Sequence, residues 1–246
     1  MIQFRVSLVL CVRDAFTGKA VVRNAVRCQL DGSPYVPQYK EGGYFVFVDL
    51  PAGEHTVMLL GAYYQNEILE VTTTHDSMQE QMVKLKPAAN YPFERGVVRL
   101  SGTLENKGKA IQAGHIYIAP QYAATEIKIA QDQAEVGATE MRVYFRGRGE
   151  RIAVPSEYLI VDGKNSEIVL LKEINDETGV LGAPLQYTHK RGKAVYGVTQ
   201  YLADDKGRFL AFLPEAVRVT VFCAQYRYIE DFDLGEKDNE ITVNVQ

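Results

Sequence analysis

Four histidines, His55, His75, His115 and His189, are the chain's natural proton carriers and metal ligands. No two of them stand at a metal-ligand spacing, and none falls in a His/Cys cluster. The three cysteines, Cys11, Cys28 and Cys223, form no CxxC pair. Cys28 shares strand parity with Val26 and Leu30, and Cys223 shares it with Val219 and Val221, which predicts two small core thiols. Cys11 falls with Arg5 and Arg13 on the polar parity, the side from which a thiol could react, yet the sequence places no base to activate it. Nucleophile elbows, phosphate-cradling loops and dinucleotide fingerprints are absent, as is the βαβ pattern in which the last two work. The paired carboxylates Asp204 and Asp205 precede Gly207 where a hairpin turn wants turn residues. No residue is therefore assigned a catalytic, cofactor-binding or metal-ligating role; no cofactor is expected, and the chain reads as a non-enzyme.

The remaining polar signals suit recognition. Basic residues gather at Arg142, Arg146, Arg148 and Arg151 and again at His189, Lys190, Arg191 and Lys193, while Glu230, Asp231, Asp233, Glu236, Asp238 and Glu240 gather further on. Patches of opposite sign can set register between neighbouring subunits, or can be solvated strand faces. Fifteen tyrosines and no tryptophan are a bias toward rings with a hydrogen-bonding tip, which serve interfaces and sandwich corners alike. Tyr35, Tyr39, Tyr63, Tyr64, Tyr122, Tyr187, Tyr226 and Tyr228 fall near strand ends or loops.

Composition narrows the partners. With 246 residues, 46% of them hydrophobic and 24% charged, and a net charge of −4, the chain has the balance of a globular protein able to bury a core. The absence of a basic stripe argues against nucleic acid. The longest apolar run, from Ser7 to Val12, is far shorter than the roughly 18 residues of a spanning helix. Arg5 interrupts the early apolar stretch and no cleavage site follows, so the expected route is cytoplasmic synthesis without a signal peptide.

The elements that position these residues are strands. Ile2, Phe4, Val6, Leu8, Leu10 and Val12 alternate with polar residues, a period-2 pattern with one buried face. Turn residues from Asp14 to Lys19 follow, then Val22, Val26, Cys28 and Leu30 resume the alternation, which predicts two consecutive antiparallel strands. Gly43 opens a run from Tyr44 to Leu50, Pro51 breaks it, and His55 to Leu60 forms another. Only 73–85 could hold a turn of helix, and Val83 and Leu85 fit a closing strand equally well. The two prolines of Lys86 to Pro92 mark a linker.

An internal repeat organises the rest. Gly43, Phe45, Leu50, Pro51, Val57 and Tyr64 align with Gly207, Phe209, Leu213, Pro214, Val219 and Tyr228, Asp49 being the one extra residue before the proline. Thr17-Gly18-Lys19 aligns with Lys107-Gly108-Lys109. The two glycines are 25 residues apart in the first copy and 99 in the second, an excess of 74 that predicts an inserted subdomain. Inside it, Glu140 to Phe145, Tyr158 to Val161 and Ser166 to Leu171 read as strands, with Asp162 to Asn165 as a hairpin turn.

Thr17-Gly18-Lys19, Gly43-x-Phe45, Leu50-Pro51-x-Gly53 and Thr56-Val57 resemble the carboxypeptidase regulatory-like domain, which implies a prealbumin-like, Ig-like sandwich of about seven strands; the second copy departs at Pro214-Glu215-Ala216, without the glycine. In the insert, Val136 to Glu140, Tyr158 to Gly163 and Leu185 to Val195 resemble small β modules of phage-tail and contractile-injection-particle proteins. The resulting expectation is all-β: a first sandwich at 1–88, a discontinuous second at 93–122 and 196–246, and an inserted β subdomain at 123–195 projecting from one end. The function these resemblances imply is a structural or adaptor subunit of such an assembly, of the kind carried in a released virion or particle. Its partners are other subunits or ring-forming copies of itself, with no nucleic acid and no membrane span. The alternative is a carbohydrate-binding or adhesive sandwich, for which a sugar is the ligand.

Overall fold

The computed structural model describes residues 5–94, 96–145 and 153–245, and the chain divides between Gly96 and Val97 into two compact units. Among the described residues the regular structure is strand with four short 3-10 turns and no α-helix.

The first unit is a sandwich of eight strands: β1 (Val6–Asp14), β2 (Val26–Leu30), β3 (Ser33–Tyr35), β4 (Gln38–Lys40), β5 (Tyr44–Val48), β6 (Gly53–Gly61), β7 (Glu67–Thr73) and β8 (Gln79–Leu85). They form two sheets, β4-β5-β1-β8 and β3-β2-β6-β7. Alternation turns Leu8, Leu10, Val12, Phe45 and Phe47 from one sheet onto Val57, Leu59, Leu69 and Val71 from the other. The expected neighbours β1 and β2 do not pair. β1 runs antiparallel to β5 and parallel to β8, whereas β2 pairs with β3 and β6. Two strands that point apolar faces at one core from opposite sides satisfy the same alternation as a hairpin. The 73–85 segment, ambiguous in sequence, ends as strand β8.

The second unit opens with β9 (Val98–Asn106), β10 (Lys109–Ala110) and β11 (His115–Pro120). Next come β12 (Ile127–Ile129), β13 (Gln133–Ala134), β14 (Glu140–Phe145), β15 (Ser156–Val161), β16 (Glu167–Asn175), β17 (Thr178–Leu181), β18 (His189–Lys190) and β19 (Ala194–Gly197). The sandwich then resumes with β20 (Thr199–Leu202), β21 (Arg208–Leu213), β22 (Arg218–Cys223), β23 (Tyr228–Asp233) and β24 (Asp238–Val245). Here β9 lies antiparallel to β21 and parallel to β24, repeating the arrangement of β1 between β5 and β8. The chain thus holds two sandwiches in tandem, the second interrupted.

The duplication is legible at single atoms. Gly43 has φ +80°, and a Cβ there would stand 2.5 Å from the carbonyl oxygen of Val12; Gly207 has φ +72°, and its Cβ would stand 2.6 Å from that of Leu104. Each glycine carbonyl accepts the amide of that same partner, Val12 at 2.8 Å and Leu104 at 2.7 Å. The extra residue Asp49 takes φ +53°, so the first copy absorbs its insertion as one left-handed residue.

The interruption falls at a hairpin tip. In the first copy β2 and β3 are joined by Asp31 and Gly32, with φ +49° and +76°, a tight turn requiring two left-handed residues. In the second copy β11 and β20 pair in the same sense, Ile118 opposite Thr199, and the chain between them forms a closed barrel ordered β12-β14-β17-β16-β15-β19. Closure is made where Ile127 meets Val195. Met141, Val143, Ile160, Val169, Leu171 and Val195 fill its interior.

The barrel also packs on the sandwich that it interrupts. Leu159 and Tyr196 on the barrel's outside pack with Ala119, Val198 and Phe222 of the sandwich sheet β20-β11-β22-β23. Consequently β22 is buried on both faces from Val219 to Cys223, while its counterpart β6 alternates.

Candidate functional site

The histidines are held by local partners. His55 Nδ1 is 2.8 Å from Asp31 Oδ2 and Nε2 is 3.0 Å from the Pro51 carbonyl oxygen, so the β2–β3 turn is latched to β6. Hydrogen bonding to Asp31, then to Pro51, raises the imidazole's pKa, and that of Asp31 falls in return. His75 meets Arg5 at 2.9 Å, and His115 bonds Gln200. Among the described residues no group of three His, Cys, Asp or Glu side chains is arranged to hold a metal.

His189 is different, and sequence reasoning missed its setting. Its side chain is fully buried, with Nδ1 3.0 Å from Asp162 Oδ2 and Nε2 2.8 Å from Glu167 Oε1. A neutral imidazole carries one N–H, so two carboxylate acceptors call for the imidazolium. Burial opposes that charge, but the bonds to Glu167 and Asp162 outweigh it and the pKa is raised. Lys193 Nζ adds a contact of 2.5 Å to Asp162 Oδ1. Burial pushes Asp162 up while Lys193 and His189 pull harder, leaving it below the usual carboxylate value. Glu167 also accepts the amides of Gln186 and Tyr187. The constellation resembles a charge relay in composition, but its imidazole has no exposed surface, and it pins the 182–193 loop to the β15–β16 hairpin. The expected hairpin is present, its turn a 3-10 segment Gly163–Asn165.

Beside it lies a cleft of about 150 Å³ between barrel and sandwich, open to solvent. Tyr117, Ile168 and Phe222 form its apolar part, and Lys164, Gln186, Tyr187 and Arg227 its polar part. Arg227 sits in the left-handed region at φ +52°, donates from Nη2 to the Tyr187 hydroxyl at 2.7 Å, and stands 5.9 Å from that ring's centroid.

The remaining candidates have structural roles. All three cysteines are buried, Cys11 included, against its polar parity. Burial pushes the Cys28 thiol up to about 11 and Cys223 to about 12. Asp204 accepts the amides of Lys206 and Arg208 and pairs with the Arg208 side chain, holding the turn into Gly207. Several members of the basic and acidic clusters are paired within the chain: Arg142 with Glu177, Arg191 with Asp132, Lys193 with Asp162 and Asp233 with Arg218. Arg146, Arg148 and Arg151 lie outside the described residues. Tyr35 stacks on Phe47 and Tyr39 meets Phe45 edge-on, which is packing. Tyr64 and Tyr91 both donate to the buried Asp14 Oδ2, at 2.9 and 2.5 Å.

Strand edges complete the inventory. In the sheets carrying β2 and β11, the terminal strands are β3 and β7, and β20 and β23. Pro34 interrupts β3, Glu67 and Glu70 guard β7, and Glu230, Asp231 and Asp233 guard β23. Such prolines and charges discourage further pairing. β20 reads Thr199-Gln200-Tyr201-Leu202 with no charge, and Leu202 is 58% exposed.

No protein-family model and no curated protein matches the chain. Among solved structures it is similar to the TIE protein of Bacillus anthracis, at 10% identity over 98% of this chain and 50% of that one, with a TM-score of 0.29. It therefore spans half the length of that chain. It is also similar to the shaft pilin SpaA of Lactobacillus rhamnosus GG, at 9% identity over 99% of this chain and 98% of that one, TM-score 0.25. A third is BcpA, the major pilin subunit of Bacillus cereus, at 9% identity, 99% and 100% coverage and TM-score 0.26.

Proposed function

We propose that the chain is a non-catalytic structural subunit that joins other protein subunits by strand addition at β20. The β20 edge carries this reading: among the described residues of the two sheets that hold β2 and β11, the other terminal strands β3, β7 and β23 bear a proline or carboxylates, while β20 carries no charge and ends on an exposed leucine. The His189 imidazole supports it, since a buried ring engaged at both nitrogens cannot reach a substrate. Within that class, the insert's resemblance to phage-tail and contractile-particle modules directs the search to a particle assembled in the cytoplasm. That finer part rests on the residues of the insert alone.

The experiment is native mass by light scattering, on the purified chain and on the complex recovered from its host, for the native sequence and for Leu202→Lys. We expect a defined higher-order species that Leu202→Lys reduces to monomer with the fold intact. Assembly that survives the lysine removes β20 as the joint, and a monomer with no large partner in either preparation removes the subunit reading.

A further inference from the structure

The junction cleft carries a different inference, independent of the subunit reading. Its two cations come from separate modules: Lys164 from the 3-10 turn between β15 and β16, and Arg227 from the turn between β22 and β23. Lys164 has no carboxylate partner among the described residues. Arg227 spends one N–H on the Tyr187 hydroxyl, leaving most of a five-donor fork for a further acceptor. The single carboxylate in the lining among the described residues, Glu167, is turned to His189 and the Gln186 and Tyr187 amides, so it is already balanced.

Arg227 also holds a backbone conformation that favours glycine, at a turn where glycine would fit the geometry without cost. Strained residues persist where the surroundings use them. Here the strain places a guanidinium over Tyr187, fixing it before any ligand arrives. The cleft's volume is well below the roughly 300–1,000 Å³ of drug-sized pockets, so its occupant is one small unit. Tyr117 and Tyr187 offer ring surface, and Gln186 an amide.

We infer that this cleft binds an oxyanion borne on a hydroxylated ring of monosaccharide size, its charge between Lys164 and Arg227 and its ring against Tyr187. A carboxylate or a phosphate supplies the same chemistry, and the test separates them.

Amide chemical shifts of the full chain are followed at low salt during titration with glucuronate, glucose 1-phosphate and neutral glucose. We expect saturable shifts at 163–168, 186–187 and 224–227 with at least one acidic ligand, the tighter of the two naming the source, and none with glucose. Arg227→Gly should weaken binding by about tenfold or more while leaving the melting temperature equal or higher, because the strain is relieved. Lys164→Ala, at an exposed turn, should weaken it without unfolding. Equal binding of glucose, absence of saturable shifts with both acids, shifts confined elsewhere, or undiminished binding by Arg227→Gly would each overturn the inference.

Discussion

The imidazolium of His189 makes the barrel sensitive to pH from both sides. Its folded pKa lies above the ordinary 6.5, so its pairing contributes fully below pH 6.5 and is lost as pH rises through the raised value. Asp162 titrates below the ordinary 3.8, so its contribution is present above that pH and is lost as pH falls through the lowered value. Barrel stability should therefore peak between about pH 4 and 6.5. Thermal melts across pH should show both arms, and His189→Gln should flatten the alkaline one. Removing one partner of a buried charge cluster costs about 3–5 kcal/mol, so that variant should be much less stable at pH 6. Asp14 offers a second residue-scale test. Tyr91→Phe removes one of two hydroxyls on a buried carboxylate, and denaturant titration should show a loss of about 1.5–3 kcal/mol. Neither cluster was legible in sequence. Asp162 and Glu167 are 27 and 22 residues from His189, and Tyr91 is 77 from Asp14, with no motif linking them.

Elements were far more legible than their partners. Alternation marked β1, β5 and β14, because each buries one face and period 2 survives in the residue types. Pairing escaped for the reason that β1 and β2 illustrate: both sheets of a sandwich look inward, so parity cannot distinguish a neighbour from an opposite. The parallel closures β1 with β8 and β9 with β24 link strands about 70 and 140 residues apart, beyond any local signal. The glycine alignment reached further, since Gly43 and Gly207 are equivalent in φ, in the oxygen they would strike and in the amide they accept. Gly43→Ala and Gly207→Ala should each cost about 2 kcal/mol or more, combining a left-handed alanine with a backbone clash. Hydrogen exchange locates the damage: faster amides in β1 and β5 for the first, in β9 and β21 for the second.

For the whole molecule, the all-β class was readable from turn spacing and the scarcity of helical pattern. The closed barrel was not, because closure depends on β12 meeting β19 across most of the insert. Its docking left a trace in the sequence: Tyr158 to Ile160, and Val219 to Cys223 apart from Thr220, are apolar at successive positions, where alternation fails because both faces are covered. Replacing 121–196 with an Asp-Gly turn like that of Asp31-Gly32, which sets Pro120 opposite Gly197 in the register of Ile118 with Thr199, should leave a folded sandwich that exposes Tyr117, Ala119 and Phe222. That product should bind an apolar dye and self-associate, and Phe222→Thr should suppress both. Dye binding unchanged from the intact chain would mean that the barrel covers nothing the sandwich needs hidden.

A hairpin tip that carries a barrel also has a schedule. On the ribosome β9 and β11 emerge, and then about 80 residues of barrel must be synthesised before β20 to β24 can complete their sheets, roughly 4–16 s at ordinary elongation rates. Through that interval Leu100, Leu104, Ile116 and Ile118 lack the strands that cover them in the finished sandwich. The barrel, whose strands are contiguous, can close first and carry β11 with it. The second sandwich is thus built around a module already folded, and the nascent chain is most exposed to chaperones and misassembly while that module is being made.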